Sequence, residues 1–275
     1  MTQRSAFDKV LLMEKSDITS LRTFFAQSVA KKLLDVMLPP TCPGCKTIVS
    51  PPGGLCPECW EKITFISAPT CSTCGHPFEF SGMGEDNLKG VICGSCARTP
   101  PPFGRARAAF IYNDASRKMV LAFKHADQTH LAGLFAAMLH RVGAELINDC
   151  DLIIPIPIST MKLFSRRYNQ SAEIARVLAR NSAKAFAPSA LKRISTPRGK
   201  KSSQANLSRR ARFENVRGVF IVSPRMAQRL KGKSVLLVDD VLTTGATITE
   251  AARIIVRAGA KNVDVLTLAL VPGPK

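Results

Sequence analysis

Between residues 162 and 233 the sequence holds only two acidic residues, Glu173 and Glu214, against 19 lysines and arginines. So one-sided a stretch excludes an ordinary mixed-charge surface and directs attention to phosphate-bearing ligands or nucleic acid. Tryptophan and tyrosine are sparse too, one and two in 275 residues, beside 14 phenylalanines. That scarcity excludes an extended base-stacking platform, and with it a strong sequence preference in any nucleic-acid binding; Phe164, Tyr168 and Phe213 are the aromatic residues near basic ones. No apolar run reaches the roughly 18 residues of a spanning helix, so no membrane span is expected. Two phosphate-binding signatures are also missing. There is no G-x-G-x-x-G, and Gly232-Lys233-Ser234 lacks a glycine five positions before Gly232, where Ala227 stands, so a Walker loop is excluded.

What is present begins with enough apolar residues, 45%, to bury a sizeable core. Residues 1–17 mix charges and lack the apolar centre of a secretory signal, so the expected location is the cytoplasm. Ile18, Leu21, Phe25, Val29, Leu33 and Val36 recur at helical spacing, which predicts an amphipathic helix within an amino-terminal extension, residues 1–38. The bland reading of that helix, docking on the fold, is preferred to a membrane or partner-binding role.

Eight of the nine cysteines form four C-x-x-C pairs: Cys42/Cys45, Cys56/Cys59, Cys71/Cys74 and Cys93/Cys96. Two residues between thiolates let a tight turn aim both sulfurs at one tetrahedral ion, so the pairs predict a knuckle domain over residues 39–98 with two structural zinc ions. Disulfides need an oxidising compartment, and an iron–sulfur cluster suits evenly paired knuckles less well. Sequential pairing closes the shorter loops, but an interleaved arrangement stays open. His76 is a surface imidazole or a substitute ligand, and Cys150 a core or helix-end residue. The proline-rich run at 97–104 marks a joint to a larger domain, 105–275.

After that joint the pattern alternates. Residues 106–112, 151–158, 216–222, 233–239 and 262–270 read as strands, with one or two helices over 116–147 and one each over 167–183 and 246–258. The fold class is therefore α/β, a parallel sheet flanked by helices, whose ligands belong at the carboxyl ends of the strands. At one such end stands the run from Val235 to Thr247, in which Asp239 and Asp240 close an aliphatic strand and Thr243, Thr244, Gly245, Ala246 and Thr247 lead into a helix. Small residues at a helix start can wrap an anion with backbone N–H groups, and two adjacent carboxylates suit vicinal sugar hydroxyls. A sugar phosphate is the natural ligand.

Residues 235–247 resemble the thirteen-residue signature of type I phosphoribosyltransferases, which implies that Asp239 and Asp240 hold the ribose of phosphoribosyl pyrophosphate and that the threonine-rich loop holds its 5′-phosphate. The segments 154–175 and 196–220, with the region around Tyr112 and Lys124, resemble the ComF family of competence and DNA-uptake proteins, from about Pro39 to the carboxyl end. Where relatives often have Arg-Gly-Phe-Asn-Gln, this chain has Arg167, Tyr168, Asn169 and Gln170, which puts local loop geometry in question. The resemblance implies that Ile156 to Ser159 meet pyrophosphate with magnesium, and that Arg166 and Arg167 neutralise the leaving group. It also implies that the 195–212 segment closes over the site through Gln204, Arg209 and Arg212. In such enzymes Asp239, Asp240 and Arg167 would be the catalytic set, stabilising a positively charged transition state. Single-stranded DNA is expected on Lys200, Lys201, Arg209, Arg210 and Arg212, and competence-machinery proteins are expected partners. Three functions remain open: a DNA-uptake accessory that binds phosphoribosyl pyrophosphate, a true transferase of nucleotide salvage or biosynthesis, and a nucleic-acid adaptor with a relict pocket.

Overall fold

A computed structural model describes residues 39–50, 53–78, 90–124, 129–194 and 209–272. The amphipathic helix expected within 1–38, together with Lys200, Lys201 and Gln204, lies outside the described residues.

The sheet has five parallel strands: β1 (Ala106–Ile111), β2 (Leu152–Pro155), β3 (Ala185–Phe186), β6 (Ser234–Leu242) and β7 (Asn262–Leu270), in the order β1-β7-β6-β2-β3. The two central strands are nearly unbroken aliphatic runs because both sheet faces are covered. Along β6, Leu236 and Val238 join one core cluster, whereas Val235 and Leu237 join the other, as the period of two requires. The first cluster packs under α3 (Asp114–Phe123), α4 (Leu131–Val142) and α7 (Gln170–Asn181), centred on Phe123, Phe135, Leu139 and Ile174. The second packs under α9 (Pro224–Leu230) and α10 (Ala246–Arg257), through Leu230, Ile248, Ala251 and Ile255. Each fully buried Leu, Ile or Phe contributes roughly 1.5–3 kcal/mol, so these clusters dominate the stability of the sheet.

Between α1 (Pro57–Glu61) and the second knuckle, the chain covers the outer edge of β1. Ile66 N donates to Ala109 O at 3.0 Å, Ile111 N donates to Thr64 O at 2.8 Å, and Phe65 pairs antiparallel with Phe110. An exposed strand edge invites pairing with other chains, and this segment occupies it. The second knuckle leads through α2 (Gly94–Arg98) into the joint, where Gly104 N donates to Val263 O at 2.9 Å.

Several boundaries differ from the sequence expectation. The region 116–147 holds α3, α4 and then α5 (Ala144–Asp149), because Gly143 ends α4 and starts a new helix. The helix expected from 167 begins at Gln170: Arg167 has φ +64°, outside the helical region, and the Asn169 side chain caps the first turn by accepting from Ser171 N. β2 stops at Pro155, and α6 (Thr160–Arg166) follows five residues later. The strand expected over 216–222 shrinks to β5 (Phe220–Ile221), antiparallel to β4 (Lys192–Arg193), and it is preceded by α8 (Arg209–Val216). β6 runs on to Leu242 through both aspartates.

Candidate functional site

The acid pair sits at the carboxyl end of the central strand. Leaving β6, the chain turns through Thr243 and Thr244 to Gly245, whose φ of +78° glycine adopts without the strain a side chain would bring. Gly245 is the N-cap of α10, and no side chain caps that helix start. Asp239, Thr243, Gly245, Ala246 and Thr247 line an open concavity there, with Val241, Leu242 and Ile248. First-turn amides and the positive end of the helix dipole favour an anion at that position.

Each carboxylate is held by a different neighbour. Asp239 Oδ1 accepts from Ser171 Oγ at 2.9 Å and from the Asp240 amide at 3.0 Å. Asp240 Oδ2 lies 2.8 Å from Lys124 Nζ, with both side chains about four-fifths buried. Desolvation, reinforced by the charge of Asp240, pushes the Asp239 carboxyl up to about 7, although the Ser171 and amide hydrogen bonds oppose the shift.

The turn before α7 completes the frame. Ile156 N donates to Val238 O at 2.9 Å, which brings the β2 turn beside β6, and Asn169 Nδ2 donates to Ile156 O at 3.0 Å. The Tyr168 hydroxyl donates to Phe123 O, tying this turn to the end of α3, where Lys124 stands. Tyr168 thus supplies a polar anchor in the Arg-Tyr-Asn-Gln variant of the motif. Ser159 is half-buried, Arg166 donates to Gln170 Oε1 at 3.2 Å, and Arg167 is exposed. Of the basic residues expected to meet DNA, Arg209 opens α8, Arg210 is highly exposed and pairs with Glu214 at 3.1 Å, and Arg212 is half-buried. Sequence reasoning did not single out Ser171 or Arg193, and it passed over the role of Lys124. These residues come from three separate elements, so no local motif announces them.

The cysteines form two tetrads, Cys42/Cys45/Cys56/Cys59 and Cys71/Cys74/Cys93/Cys96, with all sulfurs in each within 4.8 Å of one another. Four thiolates about 2.3 Å from one tetrahedral zinc are separated by distances of this size, and Cys45 Sγ to Cys56 Sγ is 3.4 Å. The tetrads therefore fit two structural zinc ions, paired sequentially. His76 contacts Pro77 O at 2.8 Å and belongs to neither tetrad; Cys150 is a buried helix-end residue whose thiol meets Ile147 O at 3.3 Å.

Two family models match parts of the chain. The double zinc ribbon domain family matches residues 33–97, and the phosphoribosyl transferase domain family matches residues 173–274. The chain is 28% identical to DNA utilization protein YhgH of Salmonella typhi over 220 residues, covering 78% of this chain and 89% of that protein. It is 24% identical to Competence protein F of Haemophilus influenzae, covering 78% and 90%. With Competence protein ComFC of Bacillus subtilis the identity is 25%, covering 80% and 86%. Relatives named as DNA utilization and competence proteins thus match most of this chain, which joins a double zinc ribbon to a phosphoribosyl transferase domain. In this chain the phosphoribosyltransferase-type sheet and the zinc-ribbon region share an edge, β1. No helix among the described residues is long and apolar enough to cross a membrane.

Proposed function

We propose that this protein is a cytoplasmic DNA-uptake accessory that binds phosphoribosyl pyrophosphate with magnesium and, separately, single-stranded DNA. The observation that carries the reading is the acid pair, held by Ser171 and Lys124, beside the uncapped start of α10. Asp239 and Asp240 accept the ribose hydroxyls, and residues 243–247 hold the 5′-phosphate. Ile156 and Ser159, with Arg166 and Arg167, meet the pyrophosphate and its magnesium. The units are a zinc domain over 39–98 and a phosphoribosyl-binding domain over 105–275, with 1–38 as an extension. Lys200, Lys201, Arg209, Arg210 and Arg212 contact DNA phosphates, and competence-machinery proteins are the partners.

One observation favours binding over transfer. Displacement at the anomeric carbon develops positive charge, which uncompensated carboxylates would stabilise. Here Lys124 already neutralises Asp240 at 2.8 Å. A transferase remains the competing reading, in which this ion pair opens on ligand binding.

Calorimetry with magnesium tests the site. Phosphoribosyl pyrophosphate should bind the wild type, and Asp240→Asn should lower affinity roughly ten- to a hundredfold, since an amide removes the charge and one acceptor, each charged hydrogen bond contributing about 1.5–3 kcal/mol. No heat and no competition by ribose 5-phosphate would overturn the reading. A base-linked product from labelled ligand across a panel of bases would establish the transferase instead.

A further inference from the structure

The two-residue strand β4 presents its side chains alternately, Lys192 to solvent and Arg193 inward. Arg193 stands opposite Phe220 in the β4–β5 ribbon, and its Cζ lies 5.5 Å from the centre of that buried ring. A cation held over a ring is attracted by its quadrupole without using up the guanidinium's hydrogen-bond donors. Among the described residues, Arg193 makes no hydrogen bond or ion pair. Burial weakens its hold on the proton, and the charge that opposes this is that of Asp239. Arg193 therefore feels the charge of Asp239 without forming an ion pair with it among the described residues.

The ribbon is fixed relative to the site. Directly before β5, Gly218 N donates to Glu250 Oε1 at 2.8 Å, and Glu250 belongs to α10, whose first turn forms the anion cradle. Asp239 Oδ1 is already engaged by Ser171 and by the Asp240 amide, so it is not free to serve Arg193 alone. A half-buried guanidinium that has lost solvent and, among the described residues, meets a ring but no hydrogen-bond acceptor is poorly compensated. Its planar fork matches phosphate oxygens in bidentate geometry.

We propose that Arg193 is an anion-binding residue of this site, its guanidinium edge receiving a phosphoryl group of the ligand while Asp239 and Asp240 take the sugar hydroxyls. The assignment rests on the phosphoribosyl reading and extends it to the ribbon. That phosphoryl group is either the 5′-phosphate or the pyrophosphate, and the two share the same recognition chemistry.

The test is calorimetry on the zinc-containing full chain with magnesium and three probes: ribose 5-phosphate, inorganic pyrophosphate and phosphoribosyl pyrophosphate. Arg193→Met keeps the stem packed on Phe220 and removes the charge; Arg193→Lys keeps the charge and removes the fork. We expect the Met variant to lose about tenfold or more in affinity for phosphoribosyl pyrophosphate, and the Lys variant to recover part of it. A loss shared with ribose 5-phosphate identifies the 5′-phosphate, and one shared with pyrophosphate identifies the diphosphate; either supports the assignment. Unchanged affinity of the Met variant for all three probes overturns it. A wild type that binds none of them overturns the phosphoribosyl reading itself. Zinc content and melting temperature report on folding, and Arg193→Gln replaces the Met variant if that one melts early.

Discussion

Asp239 and Asp240 are neighbours in sequence but live in different electrostatic surroundings. Lys124 pairs with Asp240 at 2.8 Å, whereas the hydrogen bonds to Asp239 come from neutral donors, Ser171 Oγ and the Asp240 amide, and its neighbour repels it. Its carboxyl is accordingly pushed up to about 7, first by desolvation and then by Asp240. To accept hydrogen bonds from ribose hydroxyls on both oxygens, Asp239 must be ionised. Affinity for ribose 5-phosphate should therefore rise between pH 6 and pH 8, and Asp239→Asn should flatten the part of that slope which the ligand's own phosphate does not supply. Calorimetry across this range, with the variant as control, reads it directly; a wild-type slope no steeper than the variant's would refute the assignment. The sign for stability is opposite. A folded-state value above the usual Asp value of about 3.9 means that the folded protein holds the extra proton, so this group's contribution to stability is lost as pH rises through about 7.

At the level of elements, legibility followed locality. The β6 strand, its acid pair, the turn and α10 are contiguous, so an aliphatic run, two carboxylates and a Thr/Gly-rich helix start could be read in order. Lys124 at the end of α3, Ser171 in the first turn of α7 and Arg193 in β4 reach the same place only through tertiary packing, which periodicity does not encode. The start of α7 was misplaced because Arg167 adopts a left-handed conformation that its residue type does not announce. Zinc-ligand pairing was likewise open until packing grouped the sulfurs. Docking of the second knuckle was equally hidden, and Gly75 governs it. That residue has φ +69°, and an added Cβ would lie 2.5 Å from Ala106 O in β1. Beside it, Ala106 N donates to Thr73 O at 2.6 Å, and Arg107 Nη1 donates to Ser72 O at 3.1 Å. Gly75→Ala combines left-handed strain of about 1–2 kcal/mol with a backbone clash, so a total destabilisation of about 2–4 kcal/mol is expected. Thermal melting should show a drop of several degrees with both zinc ions retained; an unchanged melting temperature would mean that the knuckle is not clamped to β1.

On the scale of the whole molecule, charge is the organising quantity. The formal net charge is +19, and 19 basic residues against two acidic ones occupy 162–233, more than one bound pyrophosphate requires. Among the described residues, surface ion pairs do little to quench this excess: Arg210, with its side chain 91% exposed, has a solvent-screened partner in Glu214. A strand of DNA would meet these cations through its phosphates, releasing counterions, so affinity should fall steeply as salt rises and vary little with sequence. Replacing Lys200, Lys201, Arg209 and Arg210 by neutral residues should weaken binding to every oligonucleotide alike. Because each phosphate contact to a single strand contributes about 0.7 to the slope of log affinity against log salt, losing four should flatten that slope by up to about 3. Anisotropy titrations at several salt concentrations, with oligonucleotides of different sequence, measure both quantities. Loss confined to one sequence, or weaker binding with an unchanged slope, would mean that these side chains act through base contacts or folding and not through phosphate charge. Asp240→Asn serves as the internal control: because it acts in the sugar-phosphate pocket, it should leave the DNA slope unaltered.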